Sequence, residues 1–376
     1  MLQKAVSHGG HSALTDRVDV DFSLAIHNRT GKYFIGRDLL ETTDLPIGKT
    51  YFWGLAADRP PSGLFGKVVG RLQHYHIRAH AIGGAWRRVP KRRPERPLLH
   101  LDPFTVPSTV LRREDAVLCH DLGPLTHPDL FDAEVSRIYH PIYREIAQVG
   151  PHLIFVSKAS MAQFASLYPD ADPASIRCIY PPIRAGATTA RPEPVPDVHR
   201  PFLLTVGSIG SRKNQQRCID AFSRSGLFHT GVRYVMCGPR EPGFEEVQAA
   251  AERTPGVLCL PYVTDAQLSW LYRSAAGFAL VSRLEGFGMP VAEAIAHGLI
   301  PLVTRDSVLH EVAGDGALLA GADEVDEIAE QMIRLLRMSN DERRSRIEQL
   351  QAAITRFDIE AIRQQWRSAF RDILSH

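Results

Sequence analysis

Phe202-Leu203-Leu204-Thr205-Val206-Gly207-Ser208-Ile209-Gly210-Ser211-Arg212-Lys213-Asn214 is the stretch on which the fold turns. Phe202 to Val206 is a short apolar run of the kind that forms a buried parallel strand. Glycines then allow a tight turn, and a helix is expected from Gln215 to Phe222. The turn carries Arg212 and Lys213 next to a helix start, where free N–H groups attract anions. In physical terms that is a cradle for a diphosphate, although it matches neither G-x-G-x-x-G nor a P-loop. A solvated basic turn is the plainer alternative, but the helix dipole disfavours cations at that end.

The same strand-then-helix alternation extends on both sides. Downstream strands are expected at 233–237, 257–260, 277–281 and 300–303, each followed by a helical stretch. Upstream, Val20 to Ile26 reads as a strand, His27 to Lys32 as a polar loop, and Asp38 to Glu41 as part of a helix. Ala116–Cys119 and Leu153–Val156 are two more short apolar strands. Pro181 to Pro201 is rich in Pro, Ala and Arg without periodicity, which reads as an interdomain linker. Ile359, Ile362, Trp366, Phe370 and Ile373 place one apolar face on a C-terminal helix. The fold class is therefore α/β, with two doubly wound domains facing across a cleft and ligands at the carboxyl ends of the strands.

Length and composition agree. A chain of 376 residues exceeds one ordinary core. Apolar content of 44% and charged content of 23% are those of a soluble globular protein. No apolar run approaches the ~20 residues of a membrane span, and Met1 to Thr15 lacks the pattern of a secretory signal. Cys119, Cys178, Cys218, Cys237 and Cys259 are scattered and read as buried free thiols in a reducing compartment, with no metal site. The expectation is a cytoplasmic protein.

A second motif is Arg283-Leu284-Glu285-Gly286-Phe287-Gly288-Met289-Pro290-Val291-Ala292-Glu293. Pro290 suits the first position of a helix that stops at Gly298. On that reading Glu285 lies on the loop and Glu293 on the first helical turn. Two carboxylates, bare amides and a helix start can hold a polyol and a phosphate together, as in a nucleotide-sugar. An ordinary strand-to-helix turn, with one glutamate complementing the dipole, is the alternative.

Between Arg59 and Arg96 lie Lys67, Arg71, Arg78, Arg87, Arg88, Lys91, Arg92 and Arg93, against Glu95 alone in a chain of net charge +2. Trp86, Leu64, Phe65, Val68 and Val69 are interleaved. Such a patch suits anionic lipid headgroups, with a solvated loop second and nucleic acid last. His74, His76 and His80 have no acidic or cysteine partner nearby and do not make a metal site.

Together these residues carry a resemblance. Gly207 with Arg212-Lys213-Asn214, then Glu285-Gly-Phe-Gly to Glu293 and Gly298, then His310-Glu311-Val312-Ala313-Gly314-Asp315-Gly316-Ala317, resemble family 4 of the retaining glycosyltransferases. In the first half, Asn28-Arg29-Thr30-Gly31, the run His120-Asp121-Leu122-Gly123-Pro124-Leu125-Thr126-His127-Pro128 and Val156-Ser157-Lys158-Ala159-Ser160 resemble bacterial mannosyl- and rhamnosyltransferases of surface polysaccharide assembly. The resemblance implies the GT-B fold, two Rossmann-like domains across a cleft. It divides the chain into an acceptor-binding domain (1–182), a linker (183–200), a nucleotide-sugar-binding domain (201–357), and a C-terminal helix (358–376) packing back on the first domain.

It also implies roles. Glu285 would bind hydroxyls of the donor sugar, helped by the amides of Phe287, Gly288 and Met289. Glu293 would hold the ribose, and Tyr262 and Val263 would lie near the base. Arg212 and Lys213 would neutralise the departing diphosphate near Gly207. His120 would approach the transferred sugar, and Gly31 would lie beneath the phosphates or the acceptor. Some relatives place an Arg directly after the first glycine, where this chain has Ser208, which leaves the charge to Arg212. The implied activity is retaining, metal-independent transfer of a hexose, best taken as mannose from GDP-mannose, to a lipid-linked saccharide at the inner membrane face. No cofactor and no nucleic acid is expected. A UDP-sugar donor or a non-catalytic sugar-nucleotide-binding subunit of the same fold are the alternatives.

Overall fold

The computed structural model describes residues 16–23, 31–42, 44–52, 55–60, 64–72, 91, 93–183 and 190–375. The chain divides into two compact units. The first comprises residues 1–156, 160–180 and 360–376; the second comprises 157–159 and 181–359.

The first unit holds a seven-stranded sheet: β1 (Val18–Asp21), β2 (Ile47–Phe52), β3 (Leu55–Ala57), β4 (Leu98–His100), β5 (Ala116–Cys119), β6 (His152–Phe155) and β7 (Ser175–Cys178), in the order β3-β2-β1-β4-β5-β6-β7. Neighbours pair in parallel except β2 with β3. β4, β5 and β6 are buried at every position, as central strands of a parallel sheet are. Helices α1 (Gly31–Glu41), α2 (Ala133–Val149) and α3 (Lys158–Leu167) follow β1, β5 and β6. α2 turns Ile142, Tyr143 and Ile146 into the core against Phe155 and Phe164, and ends at Gly150 in the left-handed conformation. Four strands escape the sequence reading. β3 and β4 have only three residues each, and β2 (Ile-Gly-Lys-Thr-Tyr-Phe) mixes glycine and lysine into a half-buried surface. β7 is likewise only partly buried.

The second unit has six strands, all parallel: β8 (Phe202–Val206), β9 (Arg233–Cys237), β10 (Val257–Leu260), β11 (Gly277–Leu280), β12 (Pro301–Thr304) and β13 (Leu318–Ala320), ordered β10-β9-β8-β11-β12-β13. Helices α4 (Gln215–Ser225), α5 (Phe244–Arg253), α6 (Asp265–Ser274), α7 (Met289–Ala296), α8 (Val308–Ala313), α9 (Val325–Arg337) and α10 (Asn340–Ile354) follow. The strand order reverses between β8 and β11, and ligands of such sheets bind at the carboxyl ends of the strands at that switch point. In the first unit the corresponding reversal lies between β1 and β4.

Two expectations are corrected here. Residues 190–200 pack on the second unit and are no free linker: Val195 and Val198 are buried, and the Glu193 N–H donates to the Ala266 carbonyl at 3.1 Å. Two of the five free thiols, Cys178 and Cys259, are half-buried, because each lies on the outermost parallel strand of its sheet. The last helix, α11 (Ile359–Leu374), buries Ile362, Trp366, Ala369, Phe370 and Ile373, and its residues from 360 on group with the first unit. Arg177 pairs with Asp372 at 2.5 Å and Arg367 with Asp44 at 2.5 Å.

Candidate active site

At the switch point of the second unit, the loops after β8 and β11 bring Arg212, Lys213 and Glu285 together. Lys213 Nζ donates to Glu285 Oε1 at 2.5 Å, and the Ser282 hydroxyl donates to the same oxygen at 2.8 Å. Arg212 lies 3.7 Å from Glu285 Oε2 and donates to the Leu284 carbonyl at 3.2 Å. The loops are also joined through their backbones, the Arg283 N–H donating to the Arg212 carbonyl at 3.1 Å. Lys213 and Glu285 are both nearly inaccessible to solvent. Burial pushes the Glu285 carboxyl up, but Lys213, Arg212 and the hydrogen bonds from Lys213 and Ser282 outweigh it and hold it below the usual glutamate range. A buried ion pair of this kind is costly to assemble.

Asn214 fixes the turn from inside. Its backbone is left-handed (φ 59°), and its side-chain amide donates to the carbonyls of Val281 (3.0 Å) and Ala322 (2.6 Å). A third loop, after β9, is zipped to the first: the Ser211 N–H donates to Pro242 O, and the Glu241 N–H to Ile209 O. The approach is so close that a Cβ on Gly238 would lie 2.0 Å from the Gly207 carbonyl oxygen, so only glycine fits there. This loop delivers Glu241, whose Oε1 accepts from Arg212 at 2.9 Å. Sequence reasoning missed Glu241. The one available signal was Gly238 at the end of a parallel strand, which marks close backbone approach.

α7 starts at Met289, one residue earlier than expected, with Gly288 (φ 95°) capping it and Pro290 inside its first turn. Glu293 is therefore on the second turn and not the first. It points inward, is 0% exposed, and accepts a 3.0 Å hydrogen bond from the Tyr272 hydroxyl. His297 stacks on that Tyr272 ring at 4.8 Å. Among the donor-site expectations, Phe287 has its ring buried edge-on against Phe357. Met289 and Val263 are half-buried, while Tyr262, after β10, is 80% exposed. Gly207 closes the turn beside Lys213.

In the first unit, His120 stands at the carboxyl end of β5 with Nε2 at 2.8 Å from the Leu101 carbonyl. A carbonyl only accepts, so that nitrogen carries the proton. Tyr143 donates to the Asp121 carbonyl at 3.0 Å and pins the loop that follows. Gly31 is the first residue of α1, while Asn28, Arg29 and Thr30 lie outside the described residues. So do Arg87, Arg88 and Arg92 of the basic segment and all three of its histidines; Arg93 is exposed. Two other cations of that segment are engaged within the protein: Lys91 pairs with Glu145 at 2.7 Å and Arg96 with the buried Asp19 at 3.4 Å.

Comparison with known proteins bears on this arrangement. Residues 187–351 match the family model "Glycosyl transferases group 1". The chain is 29% identical over 140 residues to O-antigen chain mannosyltransferase B of Escherichia coli, covering 36% of each protein. It is 25% identical over 219 residues to O-antigen chain mannosyltransferase RfbU of Salmonella typhimurium, covering 57% of this chain and 58% of that one. The chain thus spans between about a third and three-fifths of the length of these curated relatives. Among solved structures, the trehalose-6-phosphate protein of E. coli bound with UDP-2-fluoro glucose superposes with a TM-score of 0.64 over 94% of this chain and 98% of that one, at 14% identity. Residues 187–351 are thus similar to the glycosyl transferases group 1 model, and the chain has the GT-B fold and resembles bacterial O-antigen mannosyltransferases.

Proposed function

We propose that the protein is a retaining, metal-independent glycosyltransferase that moves mannose from GDP-mannose to a lipid-linked saccharide. The observation that carries this reading is the Arg212–Lys213–Glu285 cluster at the switch point of the second unit. In the transfer, the bond between the anomeric carbon and the diphosphate oxygen breaks, a bond to an acceptor hydroxyl oxygen forms, and that hydroxyl's proton leaves with the diphosphate. Lys213 and Arg212 take up the charge that develops on the departing diphosphate, which is how fixed cations lower such a barrier. Once they turn to the phosphates, Glu285 is released from Lys213 and accepts from hydroxyls of the donor sugar. The exposed Tyr262 ring supplies a face for the base. Glu293 serves the site from inside, through Tyr272, and reaches a ribose only if α7 and the Tyr272 ring part.

The relatives' names favour mannose and O-antigen assembly, and hence a lipid-linked acceptor. A peripheral position on the inner membrane surface also has support in the described residues. Helical residues 64–72 expose Leu64 (79%) and Phe65 (62%) beside exposed Lys67 and Arg71, the composition of a helix that lies on anionic lipid. No helix among the described residues is long and apolar enough to cross a membrane. A UDP-sugar donor is the second reading, favoured by the UDP-2-fluoro glucose of the structural neighbour.

Thermal-shift titration with GDP, UDP, ADP and dTDP, with and without Mg²⁺, tests the donor. A ligand at 100-fold above its Kd stabilises the fold by ~2.7 kcal/mol. A GDP response that survives removal of Mg²⁺ is expected. A UDP preference would replace the donor and keep the fold, whereas silence with all four would favour a non-catalytic role.

A further inference from the structure

Arg240 stands in the loop between β9 and α5, at the carboxyl end of the second sheet. Two backbone hydrogen bonds fix that loop: the Ile209 N–H donates to Pro239 O at 2.8 Å, and the Glu241 N–H to Ile209 O at 2.9 Å. Its two charged side chains have different tasks. Glu241 holds Arg212 in the phosphate turn, whereas the Arg240 guanidinium lies over the buried Phe244 ring, 4.3 Å from its centroid. Stacking on an aromatic face fixes the plane of a guanidinium while its N–H donors, which lie in that plane, stay clear of the ring. Arg240 is exposed, and among the described residues its guanidinium has neither a hydrogen bond nor an ion pair.

The charge lies toward β10. Burial raises the pKa of the half-buried Cys259 thiol on that strand, and the Arg240 cation partly offsets the rise. β10 pairs in parallel with β9, and the Gly238 N–H donates to the Leu260 carbonyl at 3.1 Å. The loop carrying Arg240 therefore starts beside the loop carrying the exposed Tyr262. Strands lie about 4.8 Å apart, which puts β10 roughly 10 Å from β8 and its phosphate turn. A ribose spans a gap of that order between a diphosphate and its base. Guanine presents O6 and N7 side by side as acceptors, and a guanidinium meets them with two parallel N–H bonds. Adenine puts an amino donor in place of O6, and uracil has no second acceptor beside O4.

We infer that Arg240 selects the base of the donor nucleotide, donating to O6 and N7 of guanine while Tyr262 covers a face of the ring. The inference rests on the reading of a GDP-sugar donor and deepens it, by naming the residue that discriminates against adenine and uracil.

Calorimetric titration of the full chain with GDP, 7-deaza-GDP, ADP and UDP tests it, because 7-deaza-GDP lacks N7 and ADP lacks O6. The parent protein should bind 7-deaza-GDP about 10-fold more weakly than GDP. Arg240→Met, which keeps apolar cover over Phe244, should weaken GDP by roughly 10- to 100-fold. It should leave ADP and UDP unchanged and bind 7-deaza-GDP as well as GDP. Arg240→Lys keeps the charge without the fork, so it too should lose the distinction between GDP and 7-deaza-GDP. Equal losses for all four nucleotides in Arg240→Met would make Arg240 a phosphate ligand, and unchanged GDP binding would leave it without a role. Either result overturns the inference and leaves the donor reading standing. A parent protein that prefers UDP, or that binds none of the four, removes the donor reading and the inference with it.

Discussion

The loops at the strand ends of the two units carry opposite chemistry. In the second unit, Arg212, Lys213, Glu241 and Glu285 are charges paired with one another, drawn from the ends of β8, β9 and β11. In the first, Asp102 and Asp121 are carboxylates met by backbone N–H groups and a tyrosine hydroxyl, beside a histidine that donates to a carbonyl. Both frameworks are doubly wound parallel sheets, so the difference lies wholly in what the loops present. A cluster of cations and anions can trade its internal pairs for an anionic ligand. Carboxylates aimed by backbone N–H and hydroxyl donors are directed hydrogen-bond acceptors.

The sharpest way to break this comparison is Glu285→Gln. If the carboxylate is a sugar ligand released by Lys213, transfer should fall by ~10²–10³. Nucleoside diphosphate binding should hold or tighten, since Lys213 and Arg212 lose an internal competitor. Parallel loss of transfer and nucleotide affinity, in steady-state kinetics and calorimetry, would mean that Glu285 belongs to the phosphate site instead.

Acid should separate the units next. His100, at the end of β4, is fully buried between the hydroxyls of Thr105 and Thr109, and burial pulls its pKa down to about 4. Between about pH 6.5 and 4 the unfolded chain takes up a proton that the folded unit refuses, so stability falls as pH drops through that window. The loss is on the order of 3 kcal/mol when complete. Glu285 behaves differently: its lowered pKa contributes stability above the ordinary glutamate value of 4.5, lost only as pH falls below it. Hydrogen exchange at pH 5 should therefore show the strands of the first unit opening more readily than at pH 7, relative to the second. Equal acid sensitivity of the two units, or a His100→Asn variant with the same pH dependence, would remove this difference.

The halves also differ in how far they could be read from sequence. β8, β9, β10 and β11 are continuous apolar runs closed by helices, and local pattern suffices for those. Arg212, Lys213 and Glu285 are legible because the strand-turn-helix pattern puts both loops at the same sheet edge. Glu293 is legible as a helical residue, but its burial against Tyr272 depends on α6, which lies outside its own segment, so local pattern does not show it. The cavity of about 80 Å³ beside His120 is assembled from residues 102 to 139, across a 3₁₀ turn, the end of β5 and a helix, so no spacing announces it. The basic segment reads as one patch only because sequence does not show that Arg96 and Lys91 already have partners.

Glu241 offers the smallest and most discriminating test of the second unit's paired charges. It touches neither Lys213 nor Glu285 in the hydrogen-bond network around them, and it acts by holding Arg212 at 2.9 Å from the far side. Its loop is locked against the phosphate turn by the Gly207–Gly238 approach and two backbone hydrogen bonds, so a change of charge there should leave the backbone in place. Glu241→Gln keeps shape and weakens one charge-assisted hydrogen bond, worth about 1 kcal/mol, or roughly 5-fold. If Glu241 aims Arg212 at the donor phosphates, the KM for donor should rise by that factor with kcat little changed. Raising ionic strength should also erode donor binding more steeply in the variant, because its arginine is less fixed. A fall in kcat with KM unchanged would instead place Arg212 on the charge that develops only as the bond breaks, and Glu241 would then be tuning the transition state.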